Sequence, residues 1–399
     1  MSYKQILIQM GCICSLVITT TTAPYLGIQS VGTASFAILI LYFLYDLITR
    51  NYVYTSSQLK NEISLLIVFI LYSSFKILDH DYLSIQSAFF FIAVPILIAI
   101  LVQNQTHRIK ISLTRILVLF FIIQCVLAIY EKIFGVNIFP YKVEIDNIYI
   151  RRESWEFRST SLLGHPLNNA LCTSIILGFI LASKYTAYFK FFALFLGFIA
   201  MLCFNARGAV LIWVLLGLYF LYQLYSVQNK KSITKIIIPT LSIILCIFIF
   251  YLISETSLGG RLFNKEKIID GSAQTRLDVW AAFKYMKGYD LWLGNPKNYL
   301  PITNKLGAAG VENSLVVIIL NYGIIFGTGI LIYTSMITTK YLNNYNKNQI
   351  IYILTSFILI GSLNNSLAGI TPWVIFYFCV HSFHLVGSRI KDKRINVQN

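Results

Sequence analysis

The chain has 399 residues, of which 57% are hydrophobic and only 12% charged, and its formal net charge is +16. A soluble domain carries about a quarter charged residues, so this composition excludes an ordinary water-soluble enzyme. The Lys and Arg residues sit in short links between apolar runs, with no continuous basic face, which excludes nucleic acid as the use of the charge.

In chain order the apolar runs predict about twelve spanning helices, because ~20 helical residues cross a hydrocarbon core of ~30 Å. They fall near 5–22, 31–49, 62–78, 84–102, 112–133, 164–183, 187–204, 207–227, 234–254, 312–339, 348–369 and 372–388. In lipid the backbone must satisfy its own hydrogen bonds, so runs of this length are helices; a β-barrel would show short alternating segments. The expected fold class is therefore all-α integral membrane: a single polytopic domain over 1–399, without internal repeats. The first run resembles a signal peptide but has no small-x-small cleavage site after it, and is read as a span. Cys12, Cys14, Cys125, Cys172, Cys203, Cys246 and Cys379 lie in or beside apolar segments, with no CxxC pair, and are read as packing residues.

Orientation follows from basic residues in short links. Arg50, Lys60, Arg108, Lys110, Arg115, Lys184, Lys190, Lys230, Lys231, Lys340 and the tail fall on one side, which places both termini in the cytoplasm. Two polar segments then lie outside, 135–163 and the much longer 255–311; a connection of that length is usually functional or disordered. Within it, Thr275-Arg276-Leu277-Asp278 resembles a capping box, and Leu277, Trp280 and Ala281, with Phe283, predict an amphipathic helix over 275–287. Gly288, Gly294 and Pro296 end it.

The external segments are also basic, which short-link bias does not explain. Arg151, Arg152 and Arg158 cluster in the first, Arg261 and Arg276 lie in the second, and Arg207 stands in the tight link Asn205-Ala206-Arg207-Gly208. Arginine presents a permanently charged fork that fits phosphate, and a charge near the membrane interior is expensive enough to be a functional candidate. Arg151, Arg152 and Arg261 suit a solvated loop or anionic headgroups equally well. His165, in Gly164-His165-Pro166-Leu167-Asn168-Asn169, and Glu312, in Glu312-Asn313 after the long loop, are the candidate proton acceptors. Each also has a structural reading, as a hydrogen-bonding histidine and a helix cap. Tyr141, Tyr149, Trp155 and Phe157 suit either sugar stacking or an interfacial belt. There is no P-loop, GxSxG or HExxH, and the lone Asp79-His80-Asp81 reads as a solvated turn.

Four motifs in order resemble the O-antigen polymerase and O-antigen ligase superfamily, membrane glycosyltransferases of the GT-C class. They are Arg158-Ser-Thr-Ser-Leu-Leu-Gly164-His165-Pro166-Leu-Asn-Asn-Ala170, then Asn205-Ala-Arg207-Gly208-Ala, then Arg276-Leu-Asp-Val-Trp280 followed by Gly294, then Glu312-Asn313-Ser-Leu leading to Asn321-Tyr-Gly323. The resemblance covers about 115–330. It implies a Wzy-type polymerase in a bacterial inner membrane, making O-antigen or capsular polysaccharide from polyprenyl-diphosphate-linked donor and acceptor glycans, without metal or other cofactor. A flippase and a chain-length regulator would be further partners. Arg207, Arg276 and Arg158 would bind the diphosphate; Glu312 or His165 would act as the base. Asn313, Asn169, Trp280, Arg151, Arg152 and Arg261 would contact substrate. The ligase pattern has a His where this chain has Glu312, which turns the expectation toward polymerase. The competing expectations are a ligase to lipid A core or protein, and a transporter or flippase.

Overall fold

A computed structural model describes residues 3–19, 22–27, 31–49, 59–139, 157–227, 247, 251, 278–306 and 311–386. Every regular element among them is helical. Five helices, Lys60–Leu78, Tyr82–Gln103, His107–Phe134, Arg207–Tyr225 and Ser314–Leu342, are long and apolar enough to cross a membrane. Shorter apolar helices stand beside them. The fold is that of a helical membrane protein.

In order, the bundle comprises α1 (Tyr3–Val17), α2 (Val31–Thr49), α3 (Lys60–Leu78), α4 (Tyr82–Gln103), α5 (His107–Phe134), α6 (Pro166–Ala182), α7 (Ala187–Cys203) and α8 (Arg207–Val227). Two short helices follow, α9 (Gly288–Leu293) and α10 (Tyr299–Lys305), then α11 (Ser314–Leu342), α12 (347–362) and α13 (Ile370–Ser382). Of the expected span at 234–254, only 247 and 251 are among the described residues. The expected span at 348–369 stops at 362, and 363–369 is instead a polar link with one 3₁₀ turn, Ser366–Ala368. Asn364 is the local reason: its side-chain oxygen accepts the Ser366 N–H at 2.7 Å, an alternative to continuing the helix.

Helix α6 is the axis of the bundle. It packs against α5, α7, α12 and α13, and every one of its residues except Asn168 is buried. Small residues allow the close approach: a Cβ on Gly178 would come within 3.1 Å of the Tyr352 carbonyl on α12. Outer helices keep an apolar stripe uncovered. On α8, Leu211, Val214, Leu215, Leu218, Tyr222 and Tyr225 are exposed at helical spacing, a surface suited to lipid.

Both ends of the α3–α11 pair are tied by charge. At one end the fully buried Glu62 accepts from Lys340 Nζ at 2.5 Å and from the Tyr341 hydroxyl at 2.6 Å. At the other, Lys76 Nζ donates to the Gly294 carbonyl at 2.7 Å. Asp81, expected in a solvated turn, is buried and ion-paired with Lys297 at 3.1 Å. Burial alone would raise the Asp81 carboxyl; hydrogen bonds from Ser84 and Lys297, and the Lys297 and Lys76 charges, outweigh it and hold the group below its usual value.

The long loop docks on this end through two glycines. Gly323 breaks α11 with φ 71°, and Gly294 has φ 76°. A Cβ on Gly323 would lie 2.5 Å from the Gly294 nitrogen, and one on Gly294 would lie 2.5 Å from the Asn321 oxygen. Asn295 N–H then bonds the Leu320 carbonyl at 3.0 Å, a carbonyl beside the kink. The kink has room outside the bilayer: α11 has 29 residues, and at ~1.5 Å per residue it exceeds a ~30 Å core by roughly 13 Å.

The buried stripe of the segment before α9 differs from expectation. Val279–Tyr285 is a 3₁₀ helix, and Val279, Ala282 and Met286 are its buried residues, packed with Ile302, Val316 and Leu320; Trp280 is 53% exposed. The tighter turn gives a period near three, which moves the stripe off Trp280 and Ala281. Expected outcome: Gly323→Ala costs on the order of 1–3 kcal/mol from φ alone, more once the backbone clash is added. Limited proteolysis should then cut faster within 288–306 than in the wild type.

Candidate functional site

The site is organised by a segment without regular structure, 157–165. One face of α5 reads its backbone. Glu131, fully buried, accepts the Thr160 and Ser161 N–H groups on one oxygen at 2.8 and 2.9 Å, and the Ile138 N–H on the other at 2.9 Å. One and two turns earlier, the Ala128 carbonyl accepts from Ser159 Oγ at 2.7 Å and Gln124 Oε1 accepts the Leu162 N–H at 3.3 Å. Residues 124, 128 and 131 share one helical face, which is why a single helix reads four consecutive residues. Ser161 has φ 44°, a left-handed conformation costly for a side-chain-bearing residue, and its N–H is one of those Glu131 binds.

From that hub the segment presents its charged ends. Arg158 Nη2 donates to the Asn205 carbonyl at 3.4 Å, and Ser159 N–H bonds the Cys203 carbonyl at 3.1 Å. Arg158 is thereby carried to the α7–α8 link two residues before Arg207, the first residue of α8. Asn205 turns that link with φ 54°, a conformation Asn tolerates better than most residues. At the other end, His165 precedes Pro166 at the start of α6. The imidazole is open to the cleft described below, while protein crowds its remaining sides. This desolvation, then the Arg158 charge, lowers it from 6.5 to about 4; Glu312 works in the opposite direction. The imidazole is therefore neutral near pH 7 and feels both Arg158 and Glu312.

Glu312 stands just before α11, but the capping role belongs to Asn313, whose side-chain oxygen accepts the Leu315 and Val316 N–H groups at 3.0 and 3.2 Å. Asn169 is likewise structural. It is fully buried, its amide N–H groups donate to the Thr160 and His165 carbonyls, and its oxygen accepts the Leu163 N–H at 3.3 Å. Backbone groups thus engage both the oxygen and the nitrogen of the Asn169 amide. Asn313 spends its oxygen on two N–H groups of α11.

Beside His165 opens a cleft of about 570 Å³. Asn168, the one α6 residue not buried, lines it, with Tyr299 from α10, Asn321 from α11, and Asn365, Ser366 and Thr371 from the α12–α13 link and the start of α13. Gly208 touches the same link, since a Cβ there would run into Leu363 Cδ1. The start of α8, with Arg207, therefore packs on the link whose later residues line the cleft. No family model matches the chain, and no curated protein matches it.

The structure thus brings Arg158, the Arg207 link, His165 and Glu312 to one end of the bundle. Trp280 does not line the cleft; it packs on Phe283 with ring centroids 6.0 Å apart. Arg151, Arg152, Arg261 and Arg276 lie outside the described residues. Sequence reasoning gave no site role to Glu131, Gln124, Asn365 or Ser366, nor to Asn321, which it had placed only within a motif. The available signal was a carboxylate and an amide one face apart in an otherwise apolar span, a costly placement that demands partners. Expected outcome: Glu131→Ala leaves the buried Thr160 and Ser161 N–H groups unpaired, at about 1–3 kcal/mol each. The melting temperature in detergent should fall clearly, with Glu131→Gln, which keeps one accepting oxygen, falling less. A Glu131→Ala protein that melts with the wild type would remove Glu131 as the organiser.

Proposed function

We propose that the chain is a membrane glycosyltransferase that joins oligosaccharide repeat units carried on a polyprenyl diphosphate, at the non-cytoplasmic face of a bacterial membrane. The observation that supports it is the pairing, at one end of the bundle, of arginines with an uncharged polar cleft. Arg158 and the Arg207 link stand on one side, and His165 and Glu312 adjoin the cleft. Such a pairing suits a substrate with a diphosphate at one end and a sugar at the other.

In the reaction, an acceptor hydroxyl oxygen bonds to the anomeric carbon of the donor sugar. The bond from that carbon to the phosphate oxygen breaks, and its electron pair leaves with the lipid diphosphate. Arg207 and Arg276, with Arg158, stabilise the departing charge, a task that fixed guanidinium groups perform without reorganising. The hydroxyl proton passes to Glu312 or His165. Diphosphate bound at Arg158 would offset that cation's field on His165 and raise the basicity of the imidazole as substrate arrives. Glu312 at the position where the ligase pattern carries His favours polymerisation over ligation. A transporter gathers its binding groups near the middle of its bundle, whereas here the polar cleft lies at one end.

The test uses purified protein and lipid-linked repeat units from cells lacking it. Arg207→Ala and Arg276→Ala should each lower the rate of extension ~10²–10³-fold, and the mechanism fails if both extend at the wild-type rate. The pH profile supplies a second check. With the His165 imidazole near 4, the wild-type kcat/KM should show no histidine inflection between pH 6 and 7. Arg158→Gln removes a repulsion on the imidazolium, so the inflection should move up from about 4, while the remaining desolvation keeps it below the free value.

A further inference from the structure

The asparagines around the site fall into two groups. Asn169, Asn295, Asn313 and Asn364 spend their side-chain oxygens on backbone N–H groups. Asn321 and Asn365 do not: both line the cleft, both are half-buried, and neither side-chain amide has a hydrogen-bond partner among the described residues. Their backbone carbonyls are used: that of Asn321 accepts the Tyr72 hydroxyl at 3.2 Å, and that of Asn365 accepts the Ala368 N–H at 3.0 Å. Asn168 lines the cleft from α6, its oxygen taken by the Cys172 thiol at 3.7 Å and its amide nitrogen left for a ligand, and Ser366 and Thr371 add hydroxyls. The volume of about 570 Å³ lies within the ~300–1,000 Å³ usual for small-molecule sites.

The lining is polar yet carries no fixed charge. His165 is the one titratable side chain besides Tyr299 among the residues that line it, and it is neutral near pH 7. A primary amide offers two donors and one accepting oxygen, and each sugar hydroxyl is at once donor and acceptor, so amides on two helices and the α12–α13 link match a ring of hydroxyls. Tyr299, Pro296, Val317 and Pro372 supply apolar wall for the C–H face of such a ring. The Tyr299 hydroxyl is fixed by the Val311 N–H at 3.2 Å, which holds that wall in place. A phosphate would find no cation among these lining residues.

We propose that this cleft is the subsite for an uncharged sugar of the acceptor, with the amides of Asn321 and Asn365 as its specificity-determining groups and Asn168 as a third contact. The assignment to the acceptor rests on the glycosyltransferase reading: His165 lines the cleft and Glu312 acts on it, so the sugar held there is the one whose hydroxyl loses a proton. Recognition of a sugar at the cleft does not rest on that reading.

The experiment uses the full chain in detergent. The probe is the repeat-unit oligosaccharide released by mild acid from its lipid diphosphate, in cells that lack this protein. Binding is followed by saturation-transfer NMR, and extension of intact lipid-linked units is measured in parallel. Wild type should bind the released oligosaccharide, Arg207→Ala should bind it equally, and Asn321→Leu and Asn365→Leu should each bind about ten-fold more weakly. Thr371→Val, which preserves side-chain volume, should weaken binding by a smaller factor and guards against misfolding of the asparagine variants. Absence of binding by the wild type, binding undiminished in all three cleft variants, or binding lost in Arg207→Ala overturns the subsite. Cleft-dependent binding without extension of lipid-linked units overturns the polymerase and leaves the sugar subsite standing. Extension undisturbed by the cleft variants overturns the assignment of the cleft to the acceptor and leaves the polymerase standing.

Discussion

A single buried carboxyl group, that of Glu131, governs how this end of the bundle is built. An irregular segment cannot enter an apolar bundle unless its N–H and C=O groups find partners, since each unpaired group costs more than a typical hydrogen bond returns. Glu131 meets two successive N–H groups of 157–165 on one oxygen and anchors the chain leaving α5 on the other. Asn169 and the α7–α8 link meet further groups. Arg158 and His165 can therefore be held by backbone that is neither helix nor strand. Displacing the segment would unpair the buried groups that now hold it.

The long loop is positioned by different physics. Where Glu131 supplies polar partners, Gly294 and Gly323 supply absence: with no Cβ on either, two backbones meet at a distance no other residue permits. The kink at Gly323 lets the start of α11 lean into the loop, and Lys76 and Lys297 fasten the contact to α3 and α4. The consequence is chemical. Docked this way, α10 brings Tyr299 opposite Asn168 and Asn365, so one wall of the cleft comes from the loop and the others from the bundle.

The two short motifs built on these glycines are two halves of one contact. Gly294 follows the Arg276–Trp280 motif and Gly323 ends the Glu312–Gly323 motif, and their spacing along the chain gives no hint that they touch. The Asn313-to-Gly323 spacing likewise acquires a plain meaning, as the distance from the helix cap to the kink. The asparagines show the limit of residue-type reasoning. Asn168 and Asn169 are neighbours of identical chemistry, yet one faces the cleft and the other is saturated by backbone. Which is which depends on a rotation of ~100° per residue about α6, and so on how α6 packs.

The sequence by itself determined the helical membrane character, nearly all the helix positions among the described residues, and the helix starts and links at which Arg158, His165, Arg207 and Glu312 lie. These follow from run length, caps and charge, all of them local. It did not determine the end of α12 at 362, the 3₁₀ period of Val279–Tyr285, the roles of Glu131 and the asparagines, or the existence of a cleft. Those depend on contacts between residues far apart in the chain, such as Thr160 with Glu131, Gly294 with Gly323 and Lys297 with Asp81. Local pattern records which side chains are apolar; only packing decides which polar groups are satisfied within the protein and which are left facing a cavity.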